Sequence, residues 1–221
     1  MAKKLLILRL EGVLQSWDAT SKWDERGTED FPTKSGITGL LGCALGLERG
    51  NADLAALNAA YTMAVRADRP GIRTVDFQTV TGSPLRNAEG KSKSTGNTLI
   101  SRRSYLQDAC FTVFIEADEY WHERIVAALK APKWCLYLGR KSCVPSRPVL
   151  ESEDPPYSGL NEALKLYPPA RGASFPMTYE TEIPDDALSD HTLPDEPVGG
   201  NRRFVRRRVW RGLVGEERLC T

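Results

Sequence analysis

Histidine is nearly absent from this chain of 221 residues: there are two, His122 and His191. Neither stands beside a motif that would make it a general base. His122 falls between Trp121 and Glu123 on a helical pattern and is expected at the solvent edge, while His191 lies in an acidic, proline-flanked stretch. The five cysteines, Cys43, Cys110, Cys135, Cys143 and Cys220, form no CxxC pair. Zinc-ligand spacing is therefore missing, and neither a metal nor any other cofactor is expected. Glycines gather in GLLGCALG, but no GK[ST] follows, which removes the Walker phosphate loop. GNTLISRRSYL offers hydroxyls and arginines without a base partner, so no catalytic residue is assigned. Long apolar runs are missing too. The first, in MAKKLLILRLEG, is broken by Arg9 and Glu11 and is too short for a signal core or a membrane span. Together with an odd cysteine count, that points to a reducing cytoplasm and no membrane partner.

Net charge is also small, at +1, which by itself argues against a chain that coats itself in nucleic acid. The distribution says more. Ala131 to Arg147 holds four basic residues and no acidic one, and Asn201 to Arg211, NRRFVRRRVWR, has six arginines in eleven residues. Acids gather elsewhere, as between Glu180 and Glu196. Local basic stripes with acidic counterweights suit a protein that meets a polyanion on one face and protein on another; solvated faces are the plainer alternative.

Hydrophobic residues make up 41% of the chain, enough for a real core. Lys4 to Leu10 predicts a strand, and Gln15 to Phe31 a long polar loop. Thr33 or Ser35 caps a helix to about Glu48. Gly39, Gly42 and Gly46 share one side of it, each costing about 1 kcal/mol against alanine. Tight packing on a sheet, or close approach of another backbone, would explain that cost. A helix over Asp53 to Ala60 and strands over Met63 to Ala67 and Thr74 to Val80 follow. Gly82 to Thr98 is too polar to bury itself and reads as a protruding arm. Cys110 to Ile115 is a strand; Trp121, Ile125, Ala128 and Leu129 then recur at helical spacing, from about Asp118 to Lys130. Strand, helix, strand, strand, helix is close to the split βαβ pattern. Beyond Pro145 the chain is rich in prolines and acids, with short possible strands. The expected fold is α+β: a ferredoxin-like (RRM-like) domain over 1–145 with an arm at about 82–98, then a small β-rich C-terminal subdomain over 146–221.

Four segments carry binding chemistry. FPTKSG, Phe31 to Gly36, opens a helix, where free N–H groups, the Ser35 hydroxyl and the Lys34 ammonium can hold a phosphate; N-capping alone is the alternative. YLGRKSCVPSRP, Tyr137 to Pro148, makes a basic turn able to follow a sugar–phosphate backbone. SRRSYL, Ser101 to Leu106, puts Arg102 and Arg103 on opposite faces if it is a strand, so one of them meets RNA. RRFVRRRVW alternates as a strand, with Phe204 and Val209 partly buried and the arginines in salt bridges or on RNA.

LILRLEGVLQSWD, FPTKSGITGLLGCALGLER, DFQTV, SRRSYLQDACFTV and LYLGRKSCVPSRPV, in this order, closely resemble the CasD-type subunits of type I-E CRISPR Cascade surveillance complexes. The resemblance runs to about Leu150. It implies a repeat-associated RNA-binding (RAMP) fold and a non-catalytic subunit that caps the 5′ handle of crRNA. It implies an arm, including Lys91, Lys93, Leu99 and Ile100, that reaches a neighbouring backbone subunit near the first guide nucleotides. Partners would be the handle, the backbone and large subunits, and target DNA near the guide 5′ end, with pairing supplying sequence specificity in antiviral defence. RNA contacts are expected at Trp17, Lys34, Ser35, Arg103, Arg140, Lys141 and Ser142, with Trp17 either stacking on a handle base or sitting in the core. Two other readings stay open: a metal-independent ribonuclease processing precursor crRNA, as in type I-C systems, and a protein–protein adaptor. The former uses Tyr, Lys and His; Lys91 and Lys93 could supply the lysine, but no histidine stands close after them, the next being His122.

Overall fold

Nine residues of extended chain, β1 (Lys3–Glu11), open the fold in a computed structural model that describes residues 3–20, 24–82, 85, 91–92, 98–183, 191–198 and 203–215. Two short strands, β2 (Leu14–Gln15) and β3 (Glu25–Arg26), interrupt the polar stretch that follows. Helices α1 (Lys34–Leu45) and α2 (Ala52–Ala59) lead to β4 (Tyr61–Arg69) and β5 (Ile72–Val80). Further along come β6 (Leu99–Gln107), β7 (Cys110–Asp118) and α3 (Glu119–Lys130). The remainder forms β8 (Leu150–Ser152), α4 (Leu160–Leu166), β9 (Thr178–Glu182), β10 (His191–Val198) and β11 (Arg203–Leu213).

The main sheet has seven strands in the order β10-β11-β9-β4-β7-β1-β8, and each described pairing within it is antiparallel. Its central strands are covered on both faces, which is why LLILRL and CFTVFI read as nearly continuous apolar runs rather than as alternation. Leu6, Leu8 and Leu10 face a core shared with Ile37, Leu40 and Leu41 of α1 and Trp121, Ile125 and Leu129 of α3. Leu5 and Ile7 face the other way, onto Ala163 and Leu164 of α4. That second face turns ionic at one end. Buried Arg9 and Arg66 both meet Asp68, and Arg66 also donates to the carbonyls of Leu164 and Tyr167 at 2.9 and 2.8 Å. Arg66 thereby satisfies the C-terminal carbonyls of α4.

The strands beyond residue 145 join the main sheet. Strands β9, β11 and β10 extend the main sheet outward from β4, and β8 closes its opposite edge, so no break in the sheet coincides with residues 145/146. Backbone ladders are non-local, and the acid- and proline-rich composition of 146–221 carried no sign of which edge would receive its strands. A second sheet is centred on β6, which pairs with β5 along its whole length on one edge and with β2 and β3 on the other. His122 is buried, not at a solvent edge, and its Nε2 lies 2.7 Å from the Glu153 carbonyl. No described helix is long and apolar enough to cross a membrane.

Candidate nucleic-acid interface

Helix α1 begins where the sequence predicts, and its cap is Thr33: the Thr33 hydroxyl accepts from the Gly36 N–H at 3.3 Å. The three glycines expected to share one role have three. A side chain at Gly42 would run into Leu54 of α2, so this glycine sets helix–helix contact. Gly46 takes the left-handed conformation that closes the helix, at φ 73°. Gly39 is exposed and has nothing within 4 Å of where a Cβ would stand.

That open side of α1 forms one wall of a cleft of about 710 Å³. Thr33, Ser35, Gly36 and Gly39 line the wall; Gly139 and Arg140 stand across from it; Arg26, Arg49 and Asp18 complete the polar rim, and Pro197 and Phe204 form an apolar side. Two segments far apart in sequence, FPTKSG and YLGRKSC, therefore meet here. The meeting depends on Gly139. At φ 87° it takes a conformation that side chains avoid, and a Cβ there would stand 1.7 Å from the Ser16 carbonyl oxygen. The turn is pinned further by the Ser16 N–H donating to the Leu138 carbonyl at 3.1 Å.

Two of the residues expected to contact RNA, Trp17 and Lys34, are buried. Trp17 is fully buried, with its indole N–H donating to Gln15 at 3.1 Å, and α1 lies on its ring through the missing side chain of Gly36. Its ring has no exposed surface and packs in the main core behind the cleft wall. Lys34 is buried as well. Its ammonium donates to Glu182 at 2.8 Å and to the Tyr61 carbonyl at 2.7 Å, so in this structure it is directed inward. The first amide of α1 is also occupied, since the Lys34 N–H donates to buried Asp195 at 2.7 Å. An internal carboxylate thus takes part of the place proposed for phosphate.

Arg140 lines the cleft, but its guanidinium donates to the carbonyls of Ser104, Arg26 and Gly27 at 3.1, 2.9 and 3.0 Å and lies over the Tyr105 ring. It positions the turn and lends the cleft its charge. Lys141 and Ser142 are exposed on the same turn, and Ser35 is half-buried in the cleft wall. Arg103 is half-buried on β6, in register with Arg26, and its Nε is buried without a hydrogen-bond partner among the described residues. Arg102 is exposed and lies over Phe77. Of the residues expected in an arm, Lys91 is exposed, Leu99 half-buried and Ile100 exposed, whereas Lys93 lies outside the described residues. Arg26, Arg49, Asp18 and Phe204 were not among the expected contacts; only the arginine-rich setting of Phe204 offered a signal.

An ionic network fastens the far wall to α1. Arg207 of β11 donates to Asp195 at 3.0 and 2.7 Å and to Glu180 at 3.2 Å. Burial works against the Arg207 charge, but the bonds to Asp195 and the surrounding carboxylates outweigh it and raise its pKa. Through Asp195 and Lys34, the strands bearing Pro197 and Phe204 are held against the start of α1.

A model of the family described as CRISPR-associated protein (Cas_Cas5) matches residues 5–212. The chain belongs to this family. It is 31% identical over 236 residues to the CRISPR system Cascade subunit CasD of Escherichia coli K12, covering 96% of this chain and 97% of that protein. The CasD-type resemblance therefore extends well past Leu150. Among solved structures, a chain of a CRISPR RNA-guided surveillance complex aligns with a TM-score of 0.79 at 29% identity, over 96% of this chain and 90% of that one. A crystal structure of a Cas protein aligns with a TM-score of 0.72 at 36% identity, over 95% and 94%.

Proposed function

We propose that this Cas5-family chain is a non-catalytic subunit of a CRISPR RNA-guided surveillance complex that binds and caps the 5′ handle of crRNA. In this reading it contacts the backbone and large subunits and holds the guide for recognition of target DNA, in cytoplasmic antiviral defence. The observation that carries the reading is the cleft, where three arginines face one aspartate beside the hydroxyls of Thr33 and Ser35 and the open backbone of Gly39. The Arg26 and Arg49 guanidiniums and the hydroxyls are donors suited to phosphate oxygens, Arg140 adds positive charge, and Gly39 lets a backbone approach. Lys141 and Ser142 continue the donor surface onto the turn. The cleft-bearing domain is ferredoxin-like in this reading, supported by the strand order β8-β1-β7-β4 with α1 and α3 as crossovers on one face. The arm beyond β5 serves the neighbouring subunit and the guide 5′ end.

Purified chain incubated with labelled repeat RNA in the absence of metal tests the proposal by a binding assay and a denaturing gel. Binding specific to the handle, with intact RNA, supports it. Cleavage within the repeat would move the chain to the processing branch. Failure to bind RNA while still binding other complex subunits would make it an adaptor.

A further inference from the structure

The cleft has a small side pocket beside its arginine-bearing rim. Asp18, Ala19, Ser35, Pro194 and Phe204 enclose about 280 Å³. Asp18, Ser35 and Phe204 belong to both spaces, so the pocket opens beside the phosphate-compatible rim. Its lining mixes the polar groups of Asp18 and Ser35 with the apolar surfaces of Ala19, Pro194 and Phe204.

Phe204 is out of place as a packing residue. It sits on β11 with 48% of its surface exposed, directly opposite Pro197 of β10, while Arg207 and Val209 on the same strand are buried. An exposed phenyl ring loses hydrophobic stabilisation that burial would provide. Beside a groove of arginines, such a ring is a surface on which a base can stack. The facing carboxylate adds selection. One Asp18 oxygen accepts from the Thr20 N–H at 3.0 Å, which fixes the side chain while leaving acceptor capacity. A carboxylate accepts from an exocyclic amino group, such as N4 of cytosine, and repels a carbonyl oxygen at the same place.

We infer that the Asp18–Phe204 pocket takes a single unstacked nucleobase, stacked on Phe204 and selected by Asp18 for an amino group, so that cytosine is preferred to uracil. The inference rests on the RNA-binding reading above and adds a base-reading element to it. Phe204 supplies affinity without discrimination, Asp18 supplies discrimination, and the arginines supply the salt-dependent part.

Cytosine and uracil differ at position 4 by an amino group against a carbonyl, so oligo-rC and oligo-rU are the probes. The full-length chain is titrated with each at several salt concentrations. Wild type should bind oligo-rC more tightly. Phe204→Ala should weaken both by about 5- to 150-fold, the span corresponding to one lost base stack. Its salt slope should stay unchanged, because no phosphate contact is removed. Phe204→Tyr should restore binding. Asp18→Asn should bring the two affinities together, since an amide offers either edge a partner. Thermal melting of each variant confirms the fold. If wild type binds RNA but Phe204→Ala binds both oligomers within twofold of it, the pocket is not a base site and the handle-binding reading survives. Equal wild-type affinity for the two oligomers would overturn the role given to Asp18. If wild type binds neither these oligomers nor repeat RNA, the handle-binding reading falls and this inference falls with it.

Discussion

Asp195→Ala removes the carboxylate that joins the C-terminal strands to α1. Asp195 has no exposed surface and accepts three hydrogen bonds, from the Lys34 N–H and from two nitrogens of Arg207. The variant orphans the first amide of the helix and strips the buried Arg207 of its main partner. Removing one member of a buried ion pair costs about 3–5 kcal/mol. Arg207 keeps Glu180 at 3.2 Å and Glu182 at 3.8 Å, so the lower end applies, about 3 kcal/mol. For a chain of this length each kcal/mol moves Tm by roughly 2–4 °C, which gives a fall of about 6–12 °C. Thermal unfolding followed by circular dichroism reads it, and the urea midpoint should fall in parallel. RNA affinity should drop as well, because β10 and β11 carry the Pro197 and Phe204 wall. A Tm within about 2 °C of wild type would refute the argument that this carboxylate fastens the wall.

Lys141→Ala should weaken RNA binding and reduce the salt slope by about one, whereas Arg140→Ala, which orphans three carbonyls, should lower Tm as well as affinity; salt titrations beside melting curves separate the two. Gly139→Ala should destabilise the chain by well over 1 kcal/mol through its positive φ and its clash with Ser16, while Gly39→Ala should stabilise α1 by up to about 1 kcal/mol yet impair RNA binding, as urea unfolding and binding titrations would report. Deleting 91–97 should leave the urea midpoint of the isolated chain unchanged and impair target binding by the assembled complex. Burial pushes the Cys110 thiol up to about 11, so with Cys220→Ser a thiol reagent at pH 8 should modify exposed Cys135 and spare Cys110. The stability tied to that raised pKa is complete below the unfolded value of 9.0 and is lost as pH rises towards about 11, so wild type should lose more stability than Cys110→Ala across that window.

The sequence by itself determined the local elements. The apolar runs of β1 and β7, the 3.6-residue spacing of α3, the cap at Thr33 and the basic turn after Leu138 are set by neighbours a few residues apart, and each formed close to where its pattern places it. Family membership was legible for the same reason, because its motifs are short ordered words. What only the tertiary structure decided is which charges face outward. Lys34 looks like a phosphate ligand until Glu182, 148 residues away, takes its ammonium. Arg140 looks free until carbonyls more than 100 residues away in sequence take its guanidinium. Phe204 reads as half of a strand pattern until β10 and β11 dock beside α1 and leave its ring at a cleft mouth. A buried charge needs a partner and an exposed one does not, and partners are assigned by packing across the whole chain, which residue spacing along it does not encode.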